Sequence, residues 1–142
     1  MIAVDTNILI YAHRDIFPEH ERALRRLCEL TEGSTPWALP VFCIAEFFRV
    51  VTHPKVLSPP TQAEVALTAI DRLLAAPTTR LLLPGHEYPA HFASCARSAA
   101  ATGNVAFDVQ IAALCREHGI RELLTADRDF ARFSEIAVLT LS

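Results

Sequence analysis

The sequence has no apolar run long enough to cross a bilayer, since a membrane-spanning helix needs about 18 or more consecutive apolar residues. The start of the chain also lacks the basic segment and the uninterrupted apolar stretch of an export signal, because Asp5 interrupts the first apolar run. These absences predict a cytoplasmic protein that does not associate with a membrane. An apolar share of 51% excludes a disordered chain, and 142 residues are a usual size for one domain.

Metal-binding patterns built on cysteine and histidine are missing too. The four cysteines are scattered and form no C-x-x-C pair, which argues against a zinc ribbon, and a cytoplasmic location argues against disulfides. The six histidines have neither H-x-x-x-H nor H-E-x-x-H spacing, which argues against a histidine zinc site. We therefore expect the cysteines to act as small buried apolar residues; they are Cys28, Cys43, Cys95 and Cys115.

Lysine is nearly absent, since 12 of the 13 basic residues are arginine and Lys55 is the one lysine. Arginine can bind phosphate and carboxylate groups through two parallel hydrogen bonds, so the bias is compatible with a phosphate-bearing partner. Coding from G+C-rich DNA produces the same bias, however. The net charge of −3 is not typical of a surface that binds nucleic acid. Charge alone therefore leaves the class of partner open.

Segments with strand patterns alternate with segments that have helix patterns along the whole chain. This alternation predicts one α/β domain over residues 1–142, with a central, mostly parallel sheet of about five strands flanked by helices. The predicted strands lie at residues 1–4, 37–39, 80–83, 122–125 and 136–141. The predicted helices lie at residues 18–31, 40–53, 61–76, 88–101 and 108–118, the third of them opened by a capping box at residues 61–64.

Two aspartates stand where predicted strands end. Asp5 follows the first strand, and Asp127 follows a later one, with Asp129 two residues on. Ligands of open parallel sheets bind beyond the carboxyl ends of the strands, so these acids are expected at one edge of the sheet. Each could instead make only a polar turn after its strand.

Two further acids lie in apolar surroundings. Glu46 is the one acid in VFCIAEFFRVV, a helix apolar enough to be buried, where a lone carboxylate is costly. A pairing with Arg49 one turn along would be the simplest explanation. Asp108 opens the predicted helix DVQIAALCREHG, where it could serve only as an N-cap.

Together, the four acids could converge on one pocket. Clustered carboxylates repel one another, and their pKa values rise unless cations neutralise them. Oxygen ligands without cysteine or histidine indicate Mg²⁺ or Mn²⁺. One or two such ions, with phosphate oxygens completing their coordination, suit the hydrolysis of a phosphodiester.

Four segments in order now resemble one family. VDTNILIYA, the AEF acid in a helix after a proline, GNVAFDVQIAAL and LLTADRDFARF are together similar to PIN domains, most of all the VapC-type toxins of bacterial toxin–antitoxin pairs. The resemblance covers residues 1 to about 134 and implies a PIN-like fold and a ribonuclease that uses Mg²⁺, or Mn²⁺ in its place. It implies an acidic quartet of Asp5, Glu46, Asp108 and Asp127, with Asp129 as a further candidate ligand. Thr6 or Asn7 would steady Asp5, and Thr125 would orient the last acid.

The resemblance also implies partners. RNA is the expected substrate, and cationic help for its phosphate could come from Arg14, Arg49, Arg128 and Arg132, each of which could instead be a surface ion-pair partner. VapC-type toxins resemble one another in forming homodimers and in being inhibited by a small antitoxin whose helix or extended tail crosses the active site. The apolar helices at 42–51 and 65–74 could form that groove or the dimer contact, or could simply face the core.

Three rival interpretations need different residues. Aspartic proteases need D-T/S-G in an all-β chain, and haloacid-dehalogenase-like phosphatases need a second acid two residues after the first, but Asn7 occupies the deciding position for both. A PIN-like fold that has lost catalysis and only binds RNA or protein remains the alternative, although none of its acids is missing. The particular RNA is not encoded in any motif, and the loops at 53–60 and 84–89 are candidate rims of the substrate groove.

Overall fold

A five-stranded parallel sheet forms the centre of the molecule in the computed structural model, which describes all residues from 1 to 142. Its order is β3-β2-β1-β4-β5, and every neighbouring pair is parallel. The predicted fold class and strand number are therefore confirmed. The strands are β1 (Ile2–Val4), β2 (Trp37–Pro40), β3 (Thr79–Leu82), β4 (Glu122–Leu124) and β5 (Ala137–Leu139).

Six helices connect and cover these strands. They are α1 (Thr6–His13), α2 (His20–Glu32), α3 (Phe42–Val51), α4 (Ala63–Ala75), α5 (Tyr88–Ser98) and α6 (Ala106–Glu117). A short 3-10 helix at Gly103–Val105 precedes α6, and another at Arg128–Arg132 follows β4. None of the helices combines the length and apolar character that a membrane crossing requires.

The core lies on both faces of the inner strands. All four residues of β2 are buried, as are Ala3 and Val4 of β1, because helices pack against both sides of a parallel sheet. Leu123 and Leu124 of β4 are buried in the same way. Three of the four cysteines join this core as small apolar residues, as expected, whereas Cys28 is only half-buried.

One helix was missed, and two local predictions were wrong. The run after Asp5 forms α1, which was not predicted. Pro40 ends β2 instead of opening α3. The predicted capping box at Thr61 does not form, since α4 begins at Ala63 without a side-chain cap. The Thr61 hydroxyl instead accepts a hydrogen bond from Arg14 (3.2 Å) and lies 3.1 Å from His13 Nε2.

The chain order places a crevice between β1 and β4. From β1 the chain builds β2 and β3 on one side of the sheet, and it then returns to build β4 and β5 on the other side. In open parallel sheets, the point where strand order reverses is where ligands bind, beyond the carboxyl ends of the strands. Asp5 stands there, and its backbone N–H donates to Leu124 O at 2.9 Å.

Candidate active site

Asp5 is fixed by hydrogen bonds to both of its carboxylate oxygens. It stands at the N-cap of α1, where its Oδ1 accepts from the backbone N–H of Thr6 at 2.8 Å. Its Oδ2 accepts from the hydroxyl of Thr125 at 2.7 Å. Only 7% of Asp5 is exposed. Asp5 therefore caps helix α1, where the simpler interpretation expected only a polar turn, and it also presents a rigid, nearly buried carboxylate.

The hydrogen bonds to Asp5 offset only part of the cost of burying its charge. The pKa of Asp5 is about 6, above its ordinary value of 3.8. Desolvation raises it most, while the hydrogen bonds from Thr125 and Thr6 lower it. The negative charges of Glu46 and Asp108 add smaller increases that are included in this value. Helix α3 and helix α6 thus bring their acids close enough to Asp5 for their charges to act on it.

Glu46 reaches the same place from α3. Its Oε2 accepts a hydrogen bond from the Thr6 hydroxyl at 3.0 Å, so Thr6 bonds Asp5 through its backbone and Glu46 through its side chain. The simpler pairing of Glu46 with Arg49 does not form, since neither the ion pairs nor the hydrogen bonds of the structure include Arg49. Glu46 is half-buried and directed to the start of α1 instead.

A second group of polar side chains links Asp5 to the segment after β4. The Thr125 hydroxyl donates to Asp5 and accepts both from Asn7 Nδ2 (3.2 Å) and from the backbone N–H of Asp127 (3.0 Å). Asn7 Oδ1 also accepts from the backbone N–H of Ala126 at 3.2 Å. Thr125 therefore orients the Asp5 carboxylate directly, and it holds Asp127 through the backbone.

Asp108 carries a charge that Arg132 offsets only in part. It is the third residue of α6, whose N-cap position is Val105, so the interpretation of Asp108 as an N-cap is wrong. No hydrogen bond or ion pair reaches its carboxylate. The pKa of Asp108 is about 6, above its ordinary value of 3.8. Desolvation raises it most and the negative charge of Asp127 raises it next, while the charge of Arg132 lowers it. Glu46 and Asp129 add smaller increases.

Asp127 and Asp129 differ in their position relative to the other acids. Asp127 is half-buried and caps the 3-10 helix at Arg128–Arg132 by accepting from the backbone N–H of Asp129 at 2.8 Å. Asp129 is exposed. Asp127 also acts more strongly than Asp129 on the pKa of Asp108. The structure thus favours Asp127 as the member nearer to the other carboxylates.

The four candidate arginines occupy different surroundings. Arg132 lies near enough to Asp108 to lower its pKa, while its Nε donates to the backbone carbonyl of Asp129 at 3.1 Å. Arg14 donates to Thr61, whereas Arg49 and Arg128 are exposed without a hydrogen-bond partner. None of the four forms a surface ion pair.

A concave space of about 570 Å³ opens beside Glu46, between α3 and α6. Only Glu46 and Arg49 of its lining belong to the site residues predicted from sequence, and the lining residues of α6, Phe107 and Gln110, were not predicted at all. Phe107 belongs to the apolar run that directly precedes Asp108, yet 61% of it is exposed. The only feature of the sequence that could have marked Phe107 as a site residue is its position directly before Asp108. The lining residues are Val41, Phe42, Ala45, Glu46, Arg49, Phe107 and Gln110.

No three histidine, cysteine, aspartate or glutamate side chains are arranged closely enough to hold a metal ion by themselves. The acids are nevertheless oxygen donors only, and neither Asp5 nor Asp108 forms an ion pair with a basic side chain. Mg²⁺ often takes one or two protein carboxylates and completes its coordination with water and substrate phosphate. The donor set of these residues therefore fits such an ion.

Comparisons with known proteins agree with this geometry. The family model of the PIN domain matches residues 2–136. The VapC ribonuclease Mb2897 of Mycobacterium bovis is 39% identical over 136 residues, which are 96% of this chain and 92% of that protein. Ribonuclease VapC43 of Mycobacterium tuberculosis matches to the same extent. The solved structure of VapBC2 from Rickettsia felis bound to promoter DNA has the same fold, with a TM-score of 0.73, 18% identity and full coverage of both chains. This protein therefore belongs to the PIN domain family, in its VapC branch.

Proposed function

We propose that this protein is a metal-dependent endoribonuclease and the toxin of a type II toxin–antitoxin pair. The observation that carries the proposal is the group of carboxylates at the β1–β4 crevice, Asp5, Glu46, Asp108 and Asp127, whose charges act on one another. Two of them, Asp5 and Asp108, have pKa values of about 6, mainly because burial desolvates them and in part because of the neighbouring acids. Its VapC relatives, 39% identical over nearly the whole chain, are named ribonucleases.

The proposed cofactor is Mg²⁺, for which Mn²⁺ can substitute. One or two ions would be bound by these four acids, with Asp129 as a further candidate ligand. When bound, a divalent ion lowers the pKa of water and neutralises charge on the phosphodiester. Asp5 and Asp108, whose pKa values are raised mainly by burial and in part by neighbouring acids, are the groups that such a cation would stabilise most, because it supplies an opposite charge in a desolvated place.

The residues of the chain supply positioning and charge. Thr125 and the Thr6 N–H hold the Asp5 carboxylate in one orientation, and the Thr6 hydroxyl holds Glu46. This fixed arrangement keeps the acids close together despite their repulsion and avoids reorganisation when the substrate binds. Arg132, which already acts on Asp108, is the best placed of the arginines to meet a phosphate oxygen.

The proposed partners are RNA, a small cognate antitoxin and a second copy of this chain. Helix α4 leaves Val65, Leu67 and Leu74 exposed, which is apolar surface that a protein partner would cover. The VapBC2 assembly from Rickettsia felis, bound to DNA from its promoter, has the same fold in one of its chains and supports an antitoxin partner.

A charge-removing variant tests this function directly. Asp108→Asn takes away one carboxylate without breaking any hydrogen bond, and Asp71→Asn does the same at an exposed position on α4. With total RNA and Mg²⁺ or Mn²⁺, we expect the wild type and Asp71→Asn to cleave and Asp108→Asn to lose about 100-fold or more in rate. EDTA should stop all cleavage, and titration calorimetry should show weaker Mg²⁺ binding by Asp108→Asn.

Two results would contradict the proposal in different ways. Equal cleavage by Asp108→Asn and the wild type would remove the acids from the mechanism. A folded wild type that cleaves no cellular RNA with either ion would favour a binding module without catalysis. Circular dichroism of each variant separates loss of activity from loss of folding.

A further inference from the structure

The cavity beside Glu46 has the size and lining of a small-molecule subsite. Its volume of about 570 Å³ lies within the range of about 300–1,000 Å³ that ligand pockets occupy. Four of its seven lining residues are apolar, and the other three are Glu46, Arg49 and Gln110. Glu46 belongs both to this cavity and to the proposed acidic site, so the two are continuous.

Phe107 is the most exposed large apolar side chain of the molecule, with 61% of its surface accessible. It precedes Asp108 directly, in the first turn of α6. An exposed aromatic ring can serve as a stacking platform, since every nucleobase has a flat π face that can lie against it. Phe42 contributes a second, half-buried ring to the same cavity.

Two of the three polar side chains that line the cavity have no polar partner within the chain, whereas the third, Glu46, accepts from the Thr6 hydroxyl. Arg49 is exposed, Gln110 is half-buried, and neither makes a hydrogen bond or an ion pair. An amide carries both a donor and acceptors and can therefore read the edge of a base, whereas a guanidinium suits a phosphate. A contact that only buried apolar surface against another protein would need neither group.

We propose that this cavity binds the base of a nucleotide next to the scissile phosphate. In this arrangement the base stacks on Phe107, Gln110 bonds to its edge and Arg49 contacts the RNA backbone. The inference rests on the proposed nuclease function and adds a specificity-determining residue to it. Single-stranded RNA supplies unstacked bases that an aromatic side chain can receive, so a loop or a single-stranded segment is the expected substrate.

Substitutions at Phe107 separate stacking from simple apolar contact. Phe107→Leu keeps an apolar side chain without a π face, and Phe107→Trp keeps the π face. With a short single-stranded oligoribonucleotide, we expect Phe107→Ala and Phe107→Leu to lose roughly 5- to 100-fold in kcat/KM, mainly through KM, and Phe107→Trp to retain activity. Leu83→Ala, at an apolar residue that is 54% exposed elsewhere, should match the wild type.

An abasic substrate identifies the group that Phe107 contacts. When the base beside the cleaved bond is removed, the wild type and Phe107→Ala should cleave at nearly equal rates, because neither has a base to stack. Gln110→Ala should change the preference among bases at that position more than it changes the rate on the preferred one.

The subsite and the nuclease function fail separately. Cleavage by Phe107→Leu at the wild-type rate would overturn the subsite while leaving the nuclease in place. The same conclusion would follow if the wild type and Phe107→Ala differed as much on the abasic substrate as on the intact one. A Phe107→Ala variant whose mass by light scattering changes while its oligonucleotide affinity does not would overturn it in favour of a protein interface. If the wild type cleaves nothing, the nuclease function falls, and fluorescence anisotropy of the same oligonucleotide with the same variants still decides the subsite.

Discussion

Thr125→Val should destabilise the protein in a manner that depends on pH. Thr125 is fully buried, and its hydroxyl takes part in three hydrogen bonds, to Asp5, to Asn7 and to the backbone of Asp127. Valine has nearly the same shape as threonine, so the substitution leaves no cavity. It replaces the hydroxyl by a methyl group and removes all three bonds.

The loss can be estimated from these bonds. A hydrogen bond to a charged group contributes about 1.5–3 kcal/mol, which applies to the bond from Thr125 to Asp5. The donors on Asn7 and Asp127 are only partly buried, so water recovers most of their bonding, and they add about 1 kcal/mol or less. We expect a decrease of about 2–4 kcal/mol in the free energy of unfolding at pH 7.5. Thr125→Ser keeps the hydroxyl and loses one buried methyl, at a cost of about 1 kcal/mol.

The pH dependence follows from the pKa of Asp5. In the metal-free protein this pKa is about 6, above its ordinary value of 3.8, so folding favours the protonated acid. The corresponding stability is present in full below about pH 4 and is lost as the pH rises through 6. Thr125→Val removes a bond that favours the charged carboxylate, which raises the pKa further. The difference from the wild type should therefore widen between pH 5 and pH 7.5.

Urea unfolding in EDTA measures both effects. Trp37 is the single tryptophan and is fully buried, so its fluorescence reports the global transition. Thr125→Ser is the matched control at each pH. Equal stability of the valine and serine variants at pH 7.5, or a valine deficit that does not grow with pH, would refute the reasoning.

Three further predictions use other residues. The metal-free protein should lose thermal stability as the pH rises from about 4 to 6.5, and at pH 7.5 Asp108→Asn should raise its unfolding midpoint while weakening the stabilisation by added Mg²⁺. Asp127→Asn should reduce kcat at least about tenfold more than Asp129→Asn, and equal losses would contradict the nearer placement of Asp127. Ala100 has a φ of 48°, so Ala100→Gly should increase the free energy of unfolding by about 0.5–1 kcal/mol in urea titrations, and a decrease would contradict this account.

Much of the fold could be predicted because its signals are local. Strand segments that alternate with helix segments along the chain indicate a parallel sheet. The four acid-bearing motifs are short stretches of consecutive residues, and together they indicated the PIN family, whose model matches residues 2–136. The placement of Asp5 and Asp127 at one edge follows from the parallel strands alone. Helix α1 was missed because its eight residues are mostly buried and apolar, so they show no amphipathic period.

Other features depend on residues far apart in the chain. The Thr6 hydroxyl bonds Glu46 across 40 positions, and the Thr125 hydroxyl bonds Asp5 across 120 positions. Local patterns contain no record of such pairs, so the sequence could assign Thr6 and Thr125 only a general supporting role. The same limit explains why Thr61 looked like a helix cap and is instead a partner of Arg14.

The sequence by itself determined the class of fold, the family and the identity of the four candidate acids, because apolar periodicity and short motifs are written in consecutive residues. The tertiary structure alone decided which oxygen of Asp5 each threonine holds, that the charge of Asp108 is left without an ion-pair partner, and that Phe107 faces solvent beside it. These depend on how β1, β4, α3 and α6 pack against one another. Packing brings together charges and apolar surfaces that lie far apart in the sequence, and their mutual distances set both the pKa values and the exposure.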